Sequence, residues 1–469
     1  MNDSHVALST IDELGAMLRA RALSSVELTK LYLNRLDTIG KELNAVVTVM
    51  HDRALREAAA ADAELAAGHA RGPLHGIPYG VKDLLAAKGA RTTWGAHPYR
   101  DQIFDFDATV VRRLSTAGGV LCAKLAMIEL AGGMGYNQAD ASFTGPCKTP
   151  WNLGYWSGGS SSGPGAAVGA GLVGFAVGSE TDGSIMNPSS YSGVSGLRPS
   201  YGRVSRHGAM ALCWSLDKLG PMCRSASDAR AVIAAIAGHD ANDATSSRRP
   251  ADFRRAMLRR KPWRIGVPDG ATRKVQPEVK RNFEASLAAL QGIADVIAIQ
   301  LPHFPYDDMV GAIIAAEGGA AFREIIADGR VQTLRDPDGR RGGYSYLVTY
   351  AVDYVDTMRE RTRMRAAYDA IFERVDLIAA PGDATVALPI GVPFDKAYPG
   401  TDGGPLVTAN NLTGVPAIAV PNGFGLHGLP TSAMFVGRAF AENSVIAIAE
   451  ALQARTDWHR NHPTIATSR

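Results

Sequence analysis

The sequence predicts an α/β protein: a mixed, mostly parallel central sheet covered by helices on both faces. Two observations carry this. From about Arg71 onward, short apolar runs alternate with helical stretches, the pattern that parallel strands and their crossover helices require. The chain has 469 residues, 46% of them apolar, so it can bury a large core.

The first 65 residues read as helical. Ser9 followed by Asp12, and Ser24 followed by Glu27, are capping-box patterns that open apolar periodic runs. Val26, Leu31, Leu33 and Leu36 supply the apolar positions of the second helix, and the alanine-rich stretch Ala54 to Ala67 favours another. Lys82 follows a short apolar, strand-like run, and Gly119 to Ala123 reads as a strand after a helix over 108–117. Gly174 to Gly178 is a further strand after a small-residue helix. Arg264 to Val267, a helix over 276–290, and Val296 to Ile299 form a β-α-β unit. Asp376 to Ala380 follows a helix over about 352–374, and Ala417 to Val420 and Ser432 to Val436 complete the strands. Asp240 to Pro250 is a polar connector, and Asp336 to Gly343 reads as a turn-rich loop. The whole of 1–469 is expected to be one domain, with 1–65 an N-terminal helical segment and about 300–370 an insertion capping a substrate pocket.

A net charge of +3, spread along the chain, demands neither nucleic acid nor an anionic membrane as partner. Cys122, Cys147, Cys213 and Cys223 form no CxxC and read as small buried thiols. The N-terminal stretch lacks a basic region followed by an apolar one, and the most apolar run, Ala166 to Val177, is too short and glycine-rich to span a bilayer. A cytoplasmic protein is expected. The histidines have no metal-ligand spacing, and no glycine-rich stretch has a dinucleotide-binding context, so neither a metal nor another cofactor is expected.

Chemistry concentrates in residues 154–190. Gly158-Gly159-Ser160-Ser161-Ser162-Gly163 is followed, after a small-residue helix, by Thr181-Asp182-Gly183-Ser184. Glycines beside each serine let backbone N–H groups face inward. Upstream, Gly76-Ile77-Pro78-Tyr79-Gly80-Val81-Lys82-Asp83 places a lysine where it would point into the protein. Taken singly, a glycine-serine run is a loop and a lysine is a solvated charge. Their joint order is what carries information. No histidine stands near either serine cluster in sequence, although His75 could approach in space.

GIPYGVKD, GGSSSG and ETDGSI, followed by GLRPSYGRVSRHG, resemble the amidase signature family from about residue 5 to the end of the chain. The resemblance implies that family's α/β fold and its Ser-cisSer-Lys triad: Ser184 as nucleophile, Ser160 as proton shuttle with a cis bond between Gly159 and Ser160, and Lys82 as base. The 24-residue separation of Ser160 and Ser184 matches the family without a gap. It further implies an oxyanion hole from the backbone N–H groups of Thr181, Asp182, Gly183 and Ser184. The chemistry is coherent by itself. A serine hydroxyl must lose its proton as it attacks an amide, and a lysine can take it only if burial lowers its pKa from about 10.4. Asp83 and Ser161 are expected as hydrogen-bond partners of this set, and Ser162 as a helix cap.

Three positions depart from the family's usual TDTGGSIR: Glu180 stands for an aspartate, Asp182 for a glycine and Met186 for an arginine. The last change disfavours a substrate anchored by its own carboxylate. The expected activity is hydrolysis of aryl or alkyl amides, with esters and carbamates open to the same attack, in a largely apolar pocket involving Gly133, Met134 and Gly159. The expected partner is a small-molecule substrate, and a homodimer is left open. One alternative is the glutaminase subunit of a tRNA-dependent amidotransferase, which YGRVSRHGAMALCWSLDKLGP resembles. The glutamine pocket of that protein relies on an arginine, for which Arg340 or Arg341 would have to substitute. The other alternative is an inactive amidase fold serving as a binding protein.

Overall fold

The computed structural model describes residues 3–253 and 261–467. Eleven strands form one sheet: β1 (Val46–Val49), β2 (Pro78–Lys82), β3 (Val120–Leu125), β4 (Phe175–Glu180), β5 (Ser195–Arg198), β6 (Lys218–Cys223), β7 (Trp263–Pro268), β8 (Ala294–Ile299), β9 (Leu377–Pro381), β10 (Ala417–Phe424) and β11 (Pro430–Gly437). Their order across the sheet is β1-β3-β2-β4-β6-β5-β10-β11-β9-β7-β8. The α/β class and the mixed sheet are as expected, but the balance of directions differs. The β3–β2, β2–β4, β9–β7 and β7–β8 pairs are parallel, whereas β1–β3, β4–β6, β6–β5, β5–β10, β10–β11 and β11–β9 are antiparallel.

The strands that shift this balance are those with weak sequence signals. β5 is four residues long, and β6 (KLGPMC) interrupts its apolar positions with lysine, glycine and proline. β1 lies inside the stretch expected to be helical.

Period-two side-chain alternation explains why the sheet is covered twice. Phe175 and Val177, Leu377 and Ala379, Ile418 and Val420, and Ala433 and Phe435 join one apolar core. Their neighbours Ala176, Ile378, Ala380, Ala417, Ala419, Met434 and Val436 join a second core on the other face. Helices Ala226–Ile236 and Glu442–Thr456 contribute to the first, and His51–Ala66 and Ser162–Gly169 to the second.

The helix Ser25–Asp37 carries the Ser24/Glu27 capping box, but Ile11–Arg19 is capped by Thr10 and Glu13, one residue later than Ser9 and Asp12. Asp336 to Gly343 is not a loop. Pro337–Tyr346 is a helix whose N-cap Asp336 accepts from the Asp338 N–H, because proline suits the first turn and aspartate the cap. Between β8 and β9 the chain is mainly helical, with Tyr306–Ala321 packed on Ala351–Arg374, Pro337–Tyr346 and Leu406–Thr413. The four cysteines are buried free thiols. Among the described residues no helix is long and apolar enough to cross a membrane.

Candidate active site

β2 and β4 are parallel neighbours, with Val81 opposite Val177. Their C-terminal ends therefore emerge side by side, where α/β sheets place ligands. Lys82 is the last residue of β2, and Ser184 lies four residues beyond the end of β4. The loop bearing Ser160 enters the same corner just before helix Ser162–Gly169. Gly163 permits this approach, since a Cβ there would stand 2.3 Å from the Ala126 nitrogen at the end of β3.

The three side chains form a continuous line. Lys82 Nζ is 2.7 Å from Ser160 Oγ, and Ser160 Oγ is 2.9 Å from Ser184 Oγ. The Gly159–Ser160 peptide is cis. Lys82 also donates to Ser179 Oγ at 2.9 Å. Burial lowers the Lys82 pKa to about 7, although Asp217 and Glu180 pull it upward. The line can therefore run in either direction. A protonated Lys82 donates to Ser160, which donates to Ser184; a neutral Lys82 accepts, so that Ser184 can donate to Ser160 and Ser160 to Lys82.

Glu180, one of the family departures, folds the 181–184 loop. Its Oε2 accepts from the N–H groups of Ile185 (2.8 Å) and Met186 (3.0 Å), and its Oε1 from Arg198 Nη1 (2.8 Å) and Asn411 Nδ2 (2.9 Å). Burial opposes its ionisation, but Arg198 and Lys218 hold its pKa below the ordinary value. Gly183 takes φ +80°, which glycine adopts freely. Among the described residues, no protein acceptor takes the N–H groups of Asp182, Gly183 or Ser184.

Asp182 turns away from the serines, accepting from Thr408 Oγ1 and Asn411 Nδ2 at 3.2 Å each. Burial, together with Glu180, raises its pKa to about 6. Thr181 Oγ1 donates to Asp217 at 2.6 Å, and Lys218 Nζ lies 3.5 Å from the Thr181 carbonyl. Lys218 is a second buried lysine, its pKa lowered to about 7 by burial and by Arg198.

Several expected residues are placed differently. Ser161 does support the line, exchanging hydrogen bonds with the Ser179 backbone at 3.0 and 3.2 Å. Asp83 does not: its carboxylate pairs with Lys124 at 2.7 Å and accepts from the Thr93 N–H at 2.9 Å. β2 ends at Lys82 and Asp83 opens the turn that follows, where its side chain meets Lys124 and Thr93 rather than the serines. Ser162 caps nothing; its hydroxyl donates to the Ala126 carbonyl at 3.3 Å. His75 accepts from the Arg71 N–H and lies beside Glu64, away from both serines.

A cavity of about 340 Å³ adjoins Ser179 and Thr181. Its walls are Leu84, Ala131, Met210, Leu212 and Leu219, with Asp217 and Arg206 among its polar groups. Gly133, Met134 and Gly159 do not line it. Met134 is core, a Cβ on Gly133 would stand 1.9 Å from Leu212 Cδ1, and Gly159 packs on the Trp156 ring. Pocket walls drawn from residues 206–219 lie within YGRVSRHGAMALCWSLDKLGP, a stretch that carries the resemblance but to which the sequence assigns no pocket role. Glu180 is legible in the sequence only as a departure from the family's motif, and Arg198 and Lys218 carry no signal of their own.

Residues 27–446 match the family model described as Amidase. The A-subunit of the glutamyl-tRNA(Gln) amidotransferase of Moorella thermoacetica is 36% identical over 496 residues, covering 98% of this chain and 99% of that protein. Among solved structures, the native peptide amidase from Stenotrophomonas maltophilia superposes with a TM-score of 0.83 at 29% identity, covering 96% of this chain and 97% of that one. The corresponding amidotransferase protein from Thermotoga maritima gives 0.77 at 28% identity, covering 96% and 95%.

Proposed function

The chain belongs to the amidase signature family, and from that premise we propose that it hydrolyses carboxylic amides through an acyl-enzyme on Ser184. The observation that carries this reading is the line of Lys82, Ser160 and Ser184 at 2.7 and 2.9 Å, ending on a buried lysine with a pKa of about 7.

In the first step Ser184 Oγ bonds to the carbonyl carbon. Its proton passes to Ser160 while the Ser160 proton passes to Lys82. The N–H groups of the 181–184 loop receive the oxyanion, a contribution typically worth about 3–4 kcal/mol per donor. The tetrahedral species then breaks its C–N bond, and the amine leaves with a proton returned through Ser160 from Lys82. Water repeats the attack on the ester, giving up its proton along the same line, and a carboxylic acid departs. The same sequence serves esters and carbamates, with an alcohol as leaving group or with a carbamoyl-enzyme.

The acyl group fits the apolar cavity beside Thr181. The helical layer between β8 and β9 braces its wall from behind: Glu317 accepts from the Ser215 N–H at 2.7 Å, within the segment that walls the cavity.

A second reading, a glutaminase acting within a tRNA-dependent amidotransferase, is favoured by the full-length similarity to the Moorella thermoacetica protein. The cavity does hold an arginine, Arg206, although not one of the two expected from the sequence. Arg340 donates to the carbonyls of Leu334 and Arg335, and Arg341 is exposed and paired with Asp338, so neither supplies a pocket arginine. Both readings share attack of Ser184 on an amide carbonyl.

Labelling by a fluorophosphonate probe, lost in Ser184→Ala, tests the nucleophile; an unlabelled wild type would leave a binding protein as the better reading. Turnover of primary amides, anilides, esters and carbamates by the chain alone supports the stand-alone enzyme. Turnover of glutamine only, and only with partner proteins, would replace it with the glutaminase.

A further inference from the structure

Asn187 sits one turn beyond Ser184 and touches both halves of the proposed relay. Its own N–H donates to the Gly183 carbonyl at 2.8 Å, tying it to the turn that carries Ser184. Its side-chain Oδ1 accepts from the Gly159 N–H at 2.9 Å, in the peptide unit just before that of Ser160. Its Nδ2 donates to Asp383 Oδ2 at 2.7 Å. Asp383 follows the end of β9, a strand that is not adjacent to β4 in the sheet. Its Oδ1 accepts from Tyr191 Oη at 3.4 Å and from the Thr385 N–H at 3.3 Å.

An asparagine amide can present either its oxygen or its nitrogen to a backbone N–H. Only the oxygen can accept. A carboxylate on the far side accepts only, so it forces the nitrogen outward and the oxygen toward Gly159. The backbone at Gly158 is also pressed against this group: a Cβ there would lie 2.6 Å from Pro188 Cα and 2.7 Å from Asn187 Oδ1.

We propose that Asn187 and Asp383 form a clamp that positions Ser160 against Ser184, with Asp383 selecting the amide orientation and Asn187 holding the Gly159 peptide. The inference rests on the Ser184 reading above. Neither residue takes a proton or touches the reacting carbonyl; both are positioning residues. Displacement of a relay group by about 1 Å lowers turnover by as much as 10²-fold.

The test compares wild type with N187A, N187D, D383N and the double variant N187D/D383N. It measures the fluorophosphonate labelling rate of Ser184, kcat and KM on the best carboxamide, and the thermal midpoint. N187A is expected to lower the labelling rate and kcat by about 10–100-fold with KM within about twofold. N187D sets two carboxylates face to face and should lose at least as much. In the double variant the carboxylate at 187 accepts both from the Gly159 N–H and from the new amide at 383, so the rate should return to within a few-fold of wild type. A fold-compromised N187A does not end the test, because the rescue compares N187D with the double variant.

Wild-type labelling rates in N187A, or a double variant no faster than N187D, would overturn the clamp. So would a change in KM alone, which would make Asn187 a substrate contact. A wild type that is not labelled at Ser184 would instead overturn the underlying reading.

Discussion

The proposed base makes a quantitative demand on pH dependence. Lys82 must be neutral to accept a proton, and its pKa is lowered to about 7. The neutral fraction is then about one-eleventh at pH 6, one-half at pH 7 and ten-elevenths at pH 8. Because the neutral form is the active one, kcat/KM should rise with unit slope below pH 7 and level off above pH 8, gaining about tenfold between pH 6 and 8. An unburied lysine, at about 10.4, would still be climbing with unit slope across that whole window and well beyond it. Asp217 is the foremost group pulling the Lys82 pKa upward. Asp217→Asn should therefore move the midpoint to lower pH, leaving relatively more activity at pH 6. The assay is the pH profile of kcat/KM for a neutral carboxamide, whose own ionisation does not intrude. Lys82→Met should cost about 10²–10⁴-fold and remove the limb near pH 7. A flat profile between pH 6 and 8, or the same limb persisting in Lys82→Met, would refute the argument.

Other expectations follow from packing. Arg198→Met leaves the buried Glu180 carboxylate without its guanidinium partner and should cost about 3 kcal/mol or more, measured by chemical denaturation; an unchanged midpoint would mean that Lys218 and Asn411 suffice. Gly220→Ala would place a Cβ 2.0 Å from the Leu197 carbonyl in the neighbouring strand, so it should destabilise by at least about 1–3 kcal/mol, read as a fall in Tm. Met210→Trp narrows the 340 Å³ cavity and should lower kcat/KM for bulky acyl amides about tenfold or more while sparing acetamide-sized ones. Equal losses for both would place the acyl group elsewhere.

The sequence by itself determined the α/β class, most of the strands and three of the residues at the site. Ser160 and Ser184 lie within one 25-residue stretch whose glycines are a local signal, and Lys82 ends a short apolar run. Local periodicity also located β3, β4 and β7 to β11 to within a few residues. It did not reveal strand direction, because direction depends on which strands become neighbours, and β5 and β6 insert antiparallel between β4 and β10. Nor could it place Asp83, which the turn after β2 sends to Lys124 while Lys82 faces Ser160.

Tertiary structure alone decided everything that depends on distant pairs. Glu180 meets Arg198 and Asn411, Asn187 meets Asp383, and the cavity draws its walls from Leu84, Ala131 and residues 206–219. Such contacts are fixed by the order of strands across the sheet, and a sequence records that order only through the summed fit of its two cores. The lysine shows the division best. Its identity and place at the end of β2 can be read from the chain, but its pKa is set by burial, a property of every element packed around it.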